Sequence, residues 1–191
     1  MSAADGRKSV LITGCAPGGI GNALAREFHS KGLHVIATAR NTDQITDLSD
    51  MGMSTLALDV TDSASIAAAR VEVEALTCGT LDILVNNAYL YPSQLSLAVA
   101  QEKRQNPHPS TQIRGRNLTL PALDVPLDEA RLTFETNFFS VIALTQVFTP
   151  LLIASSPSLI LNIGSVAAIV PYAFGSVYGA SKAALHSWSN T

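Results

Sequence analysis

The chain has 191 residues, 47% of them hydrophobic and only 14% charged, with a formal net charge of −3. The charged fraction is far below the ~25% of an ordinary soluble chain and the mean hydropathy is +0.26, which excludes a disordered polymer; a pI near 5.7 excludes a dedicated nucleic-acid binder, which carries a basic stripe. Two cysteines, Cys15 and Cys78, are too few for a disulfide framework, and their spacing fits no metal site.

Strand and helix alternate from the start. Residues 1–8 are polar, and no apolar signal core follows them. Residues 9–13 predict a strand that runs into glycines. Residues 20–31 predict a helix, with Ala23, Leu24 and Phe28 at three- to four-residue spacing and Gly32 as its stop. Residues 33–38 predict a second strand, 42–51 a weaker helix and 54–58 a third strand. Asp62 is a good N-cap for a helix that reaches about Cys78. Residues 81–85 predict a fourth strand, 127–154 a long helix and 159–163 a fifth strand, and a last helix starts near Ser176. The strands are apolar runs, as expected where helices cover both faces of a sheet. Repeated βαβ units imply a parallel sheet with right-handed crossovers. The apolar stretch 159–174 is broken by Asn162, Gly164, Ser165 and Pro171, so no transmembrane segment is expected there.

The first strand is followed by Thr13-Gly-Cys-Ala-Pro-Gly-Gly-Ile-Gly21. Glycines at Gly14, Gly19 and Gly21 permit a tight turn and a close approach of backbone to a pyrophosphate. The helix opening at Ile20 points its uncommitted N–H groups at that phosphate. The competing reading is a merely structural turn, but the position at the first β–α junction favours the nucleotide. The end of the second strand, Ala37-Thr-Ala-Arg-Asn41, holds no acid to bind a ribose 2′-OH. Arg40 is placed to pair with a 2′-phosphate, which points to NADP(H); the alternative is a solvated surface arginine.

Four motifs in this order resemble the short-chain dehydrogenase/reductase family. The glycine loop is similar to the family's Thr-Gly-x-x-x-Gly-x-Gly, with one extra residue after Gly14. Asp59-Val60 resembles its adenine-contacting acid, and Asn86-Asn87-Ala88 its Asn-Asn-Ala-Gly element. Tyr178-Gly-Ala-Ser-Lys182 resembles its Tyr-x-x-x-Lys, with Ser165 thirteen residues upstream. The resemblance implies an α/β fold. That fold is a Rossmann-like doubly wound parallel sheet of strand order 3-2-1-4-5-6, here with five recognisable strands and the sixth and seventh missing. It also implies an oxidoreductase acting on a small-molecule carbonyl or alcohol, and a homo-oligomer if the fold is complete. Residues 1–191 then read as a single NAD(P)-binding domain, incomplete at its C-terminus. The wording of residues 11–28, of Ala37–Asn41 and of Pro121-Ala-Leu-Asp-Val125 is similar to the fungal NADPH-dependent 1-acyldihydroxyacetone-phosphate reductase group. That resemblance implies a cytoplasmic location, or a peripheral one on lipid droplets or the endoplasmic reticulum.

The chemistry explains why these residue types travel together. Tyr178 and Lys182 are four apart and share a helix face. A free phenol ionises near pH ~10, and a neighbouring ammonium favours the phenolate. The resemblance assigns Tyr178 the proton transfer and Lys182 the nicotinamide ribose. It gives Ser165 the substrate carbonyl oxygen, and Asn137 a water in a proton relay to the lysine. Alone, Tyr178 and Lys182 are also compatible with a surface i,i+4 pair, and Asn137 with a structural polar group. Cys15 has no basic partner and reads as a loop filler; His29, His34, His108 and His186 form no constellation. The contrasting functional class is an inactive nucleotide-binding protein that keeps only the cofactor site.

Two anomalies remain. Residues 89–114 carry no sustained period, and their second half is polar and proline-broken, which is unusual inside a compact domain. Excising them joins Ala88 to Gly115 and restores Asn-Asn-Ala-Gly. Codon choices at both ends permit intron borders, GC|GTAT and ATCAG|GGGC. The segment therefore reads as a translated intron, with a flexible family-specific loop over the substrate as the alternative. Sequencing the mature transcript across codons 88–115 separates the two: a segment kept in every message excludes the intron. The second anomaly is the missing sixth strand, which leaves the fifth as an apolar edge, an aggregation hazard. The 191-residue chain is therefore expected to be poorly soluble or inactive, and NADPH oxidation at enzyme-like rates would contradict this.

Overall fold

The computed structural model describes residues 6–88 and 120–190; the predicted insert 89–114 and His108 lie outside them. Five parallel strands form one sheet in the order β3-β2-β1-β4-β5. They are β1 (Ser9–Ile12), β2 (His34–Ala39), β3 (Ser54–Ala57), β4 (Ile83–Asn86) and β5 (Leu159–Asn162). The predicted doubly wound order is thus observed for the five strands seen in the sequence. The helices are α1 (Ile20–Ser30), α2 (Thr46–Asp50), α3 (Ser63–Leu76), α4 (Leu127–Phe134), α5 (Ser140–Ser155) and α6 (Ser176–Ser189). The weak helix expected at 42–51 is a 3₁₀ turn, Thr42–Ile45, running into α2.

The chain divides into two compact units, residues 1–88 with 139–163, and residues 89–138 with 164–191. The first holds the sheet. Successive residues of its strands point to opposite faces, so each strand feeds two cores. Leu11, Ile36 and Leu84 join Val73, Leu144 and Phe148 on one face. Val10, Ile12, Val35, Ala37 and Val85 join Ala25, Ile45 and Leu48 on the other. This is why the strands read as continuous apolar runs. Along β5, Leu159 and Ile160 remain 49% and 37% exposed, as expected from the sequence for that strand.

Helix ends follow local chemistry. Asp62 caps α3 as predicted, its carboxylate accepting the Ala64 N–H at 2.9 Å. α3 closes with the Gly79 N–H on the Glu74 carbonyl at 2.9 Å, and Cys78 takes the left-handed position before it at φ 55°.

The long helix predicted at 127–154 is two helices, α4 and α5, joined by a π-helical turn at Glu135–Phe139. Periodicity could not reveal the turn, because buried positions continue at three- to four-residue spacing through it: Thr133, Thr136, Asn137, Ser140, Val141 and Leu144. By length and a mean hydropathy of 1.8, residues 127–155 would suffice to cross a membrane. One face of α5 enters the sheet core, with Val141, Leu144, Phe148, Leu151 and Leu152 all at most 4% exposed, while Ile153 on the other face is 70% exposed.

The lower end of the sheet is tied by Asp82, which just precedes β4. Its carboxylate accepts the Ser9 N–H at 2.7 Å, the Ser9 hydroxyl at 2.9 Å and the Ser155 hydroxyl at 2.6 Å. Burial raises its pKa; these hydrogen bonds and the Lys8 charge outweigh that and leave the carboxyl below its ordinary value. Its stabilising contribution is therefore complete above the unfolded value of ~3.9 and is lost as pH falls from there through the lower folded value. Asp82→Ala strands the buried Ser9 N–H and is expected to cost about 2–3 kcal/mol in urea unfolding at pH 7. That deficit should shrink below pH ~4, where the wild-type carboxylate also takes up a proton. Cys78→Gly, which removes the left-handed penalty, is expected to raise stability by up to about 1 kcal/mol in the same measurement.

Candidate functional site

In the first unit, the glycine loop leaves the top of β1 and enters α1. Gly14 and Gly18 have φ of 73° and 75°, the left-handed region that favours glycine. A Cβ at Gly14 would lie 2.8 Å from the Ala88 Cα, and one at Gly21 would overlap the Asn87 amide nitrogen and stand 2.5 Å from the Gly14 oxygen. A Cβ at Gly18 would meet nothing within 4 Å. The loop is therefore packed tightly against the end of β4 on one side and open on the other.

Gly19 is the N-cap of α1 and gives no side-chain cap, and the first turn holds no acid. Ile20 is 60% exposed at this end. An uncapped helix start beside an open glycine loop suits an anion, since the first N–H groups have no partner within the helix.

The loop is braced by two residues that the sequence reading did not single out for the site. Thr13 Oγ1 accepts the Asn87 N–H at 3.0 Å and the Ala88 N–H at 2.8 Å. Asn87 Nδ2 donates to the Thr13 and Gly14 carbonyls at 2.8 and 3.0 Å. Their signal was present as the first residue of one motif and the second of another, but only the fold shows them bonding each other. Asn86 turns its side chain toward β5 instead, donating to Asn162 Oδ1 at 2.9 Å. Its own Oδ1 is buried without a partner among the described residues.

Arg40 follows the last residue of β2, is exposed, and makes no ion pair among the described residues. Asp59 is the second residue after β3, and its Oδ1 accepts the Thr61 N–H and hydroxyl. Cys15 is fully buried in the loop. Burial pushes its thiol up to about 12, against the effect of a backbone hydrogen bond, so it is no nucleophile.

The second unit holds all four predicted catalytic residues. Tyr178 and Lys182 lie one turn apart on α6 and are 9% and 4% exposed. Burial pulls the Lys182 ammonium down to about 8, so it exchanges protons close to neutrality. Ser165 is the N-cap of a 3₁₀ turn, Val166–Ala168. Its Oγ accepts the Ala167 N–H at 3.2 Å, which leaves its O–H proton uncommitted among the described residues. Asn137 sits in the π-helical turn, 2% exposed, and its Nδ2 donates to the Ser181 hydroxyl at 3.1 Å. A π turn is a frequent device where a helix must re-aim a functional side chain. A separate cavity of about 240 Å³ in this unit is lined by Ile169, Pro171, Tyr172, Gly175 and Gly179 among others, and touches neither Ser165 nor Tyr178.

The model of the short chain dehydrogenase family matches residues 8–107 and 114–191. The chain belongs to the short-chain dehydrogenase family. The break in the match, 108–113, falls within the predicted insert. An NADPH-dependent 1-acyldihydroxyacetone phosphate reductase of Schizosaccharomyces pombe is 37% identical over 187 residues, 98% of this chain and 54% of that protein. The short-chain dehydrogenase ptmH of Penicillium ochrochloron is 40% identical over 97% of this chain and 59% of its own length. A metagenomic short-chain oxidoreductase solved with NADP superposes with a TM-score of 0.74 at 27% identity, covering 96% of this chain and 73% of that one. The chain thus spans between half and three-fifths of the length of these two fungal dehydrogenases.

Thr13→Val keeps the shape of the brace but removes the acceptor of two N–H groups. It is expected to lower stability by about 2–3 kcal/mol in denaturant unfolding. A loss below ~0.5 kcal/mol would show that the loop does not depend on it.

Proposed function

We propose that the chain carries the cofactor-binding and proton-transfer residues of an NADP(H)-dependent oxidoreductase that reduces a ketone to a secondary alcohol. The observation behind this reading is the Tyr178–Lys182 pair on the buried face of α6, with the Ser165 hydroxyl proton uncommitted among the described residues. Three features support NADP(H). The start of α1 is uncapped and carries no acid. The end of β2 has no carboxylate, and Arg40 is exposed there without an ion pair among the described residues. The names of the Schizosaccharomyces pombe relative and the metagenomic structure carry NADPH and NADP.

In this reading Gly14, Gly19, Ile20 and Gly21 hold the pyrophosphate, Arg40 the 2′-phosphate and Asp59 the adenine, with Asn86 beneath them at the end of β4. Tyr178 and Lys182 hold the nicotinamide ribose. When bound, NADPH supplies the hydride for the carbonyl carbon. Ser165 donates its O–H to the carbonyl oxygen and stabilises the negative charge that grows there. Tyr178 delivers its phenolic proton to that same oxygen, completing the alcohol. Lys182, titrating near neutrality, is suited to reprotonate the tyrosine, and Asn137 holds the water through which solvent refills the lysine. The relative's substrate class, an acylated dihydroxyacetone phosphate, is the first ketone to test, with secondary-metabolite ketones as the second.

Tyr178→Phe is expected to lower kcat for ketone reduction by about 10³-fold, while NADPH binding, read by nucleotide fluorescence, weakens by no more than about 10-fold, the loss of one hydrogen bond. Equal turnover by both proteins would overturn the assignment. Arg40→Ala removes a charge-assisted pair of about 1.5–3 kcal/mol, so NADPH affinity should fall about 10- to 100-fold with NADH affinity unaltered. Because the Lys182 ammonium exists below its value of about 8, reduction should be level below that pH and decline above it. A rate that climbs through pH 8–9 would contradict the role of the charged lysine.

A further inference from the structure

Asn22 is the third residue of α1. Asparagine is a poor helix former, yet this one is only 7% exposed. A buried amide has to set its polar atoms against partners, and here each finds one. Nδ2 donates to the Cys15 carbonyl of the glycine loop at 3.3 Å and to the Asp47 carboxylate of α2 at 3.2 Å. Oδ1 accepts Arg26 Nε at 3.0 Å, and Arg26 pairs with the same carboxylate oxygen of Asp47. Two acceptors on one side and a donor on the other fix the direction of the amide. The Asn22 hydrogen bond, assisted by Arg26 and opposed by burial, holds the Asp47 carboxyl below its ordinary value.

The groups that Asn22 joins flank Arg40. Upstream, the Thr38 carbonyl of β2 accepts the Cys15 N–H at 2.8 Å. Downstream, Asn41 caps the 3₁₀ turn by accepting the Asp43 N–H at 2.9 Å, and that turn runs into α2. Arg40 therefore stands on a short span of chain anchored at both ends to one residue of the glycine loop. Its upstream end is bonded to the Cys15 N–H. Its downstream end reaches the Cys15 carbonyl through Asp47 and Asn22. Ile45 and Leu48 are fully buried and press this span onto the sheet, but apolar contact is non-directional. The hydrogen bonds set how far α2 stands from the loop.

We propose that Asn22 is a positioning residue that holds the Arg40 turn at a fixed separation from the glycine loop and so contributes to the preference for NADP(H) over NAD(H). The proposal rests on the reading of Arg40 as the partner of the 2′-phosphate, and goes beyond it in naming the residue that sets where Arg40 stands. The pyrophosphate and the 2′-phosphate belong to one molecule, so a loop and an arginine that bind both have to keep a matching spacing. A guanidinium fork pairs with phosphate only in a narrow geometry. In this role Asn22 touches neither phosphate; it acts through Cys15 and Asp47.

The test uses two variants of the full chain and measures NADPH and NADH affinity by fluorescence titration, with no turnover needed. Asn22→Leu keeps the branched shape of the side chain in a good helix former and removes the amide. Asp47→Ala alters a partly exposed residue of α2, breaks the link from that side and leaves the Asn22–Cys15 bond in place. Both should lower the ratio of NADPH to NADH affinity about 5- to 10-fold, part of the worth of one charge-assisted bond. In an Arg40→Ala background neither should lower the ratio further. A merely structural role would weaken both nucleotides alike and leave the ratio unmoved. An unmoved ratio in Asp47→Ala, or an equal fall with and without Arg40, overturns the proposal. Arg40→Ala alone separates the two readings. If it lowers the ratio and Asp47→Ala does not, the role of Asn22 is refuted and the cofactor reading stands. If Arg40→Ala leaves the ratio unchanged, the cofactor reading fails and the proposal falls with it.

Discussion

The ends of β1 and β4 approach so closely that Gly14 has no room for a side chain against the Ala88 backbone, and the glycine-loop end of the sheet is organised around that approach. Parallel neighbours in a doubly wound sheet release their loops at the same edge, and ligands gather there. The contact holds because Asn87 donates its backbone N–H and its Nδ2 to the Thr13 hydroxyl oxygen and carbonyl across it. The Thr13 hydroxyl and the Asn87 amide are thus satisfied at the strand ends, leaving the glycine backbone on the far side open. One small residue and one hydroxyl therefore hold the β–α turn with its glycine backbone open beside an uncapped helix start.

The opposite end of the sheet is held by different chemistry toward the same purpose. Asp82 collects hydroxyl and backbone donors from the start of β1 and the end of α5. With both faces of the strands filled by apolar side chains, these two polar ties pin the register of β1 against β4, a register that pairs Val10 with Ile83 and Ile12 with Val85.

The second unit buries several polar groups, among them Asn137, Ser181 and Lys182. Lys182 is nearly buried, and the cost of desolvating its ammonium brings its titration toward neutrality. Asn137 reaches the interior from a π-helical turn, and Ser181 of α6 accepts its Nδ2 hydrogen bond while donating along its own helix to the Tyr178 carbonyl. Burial supplies the electrostatics and directed hydrogen bonding supplies the orientation. Neither is a property of the Tyr-x-x-x-Lys spacing by itself.

While the order of the five strands followed only from the family resemblance, the sequence alone determined the alternation of strands and helices, the glycine loop, the missing acid beside Arg40 and the shared helix face of Tyr178 and Lys182. Each of these is local: it rests on a period of two or 3.6, on a glycine tolerating positive φ, or on four-residue spacing. The π-helical turn was hidden because the buried positions run through it unbroken. Whether Asn86 or Asn87 braces the glycine loop depended on the β4–β5 register, which sets Asn86 against Asn162 and turns its neighbour toward Thr13. The Ser181–Asn137 bond joins residues 44 apart, and the Ser9–Asp82 bond joins residues 73 apart. Such pairings leave no trace in a local pattern, because a hydroxyl's partner is chosen by the packing that delivers it, and only the tertiary structure decides that.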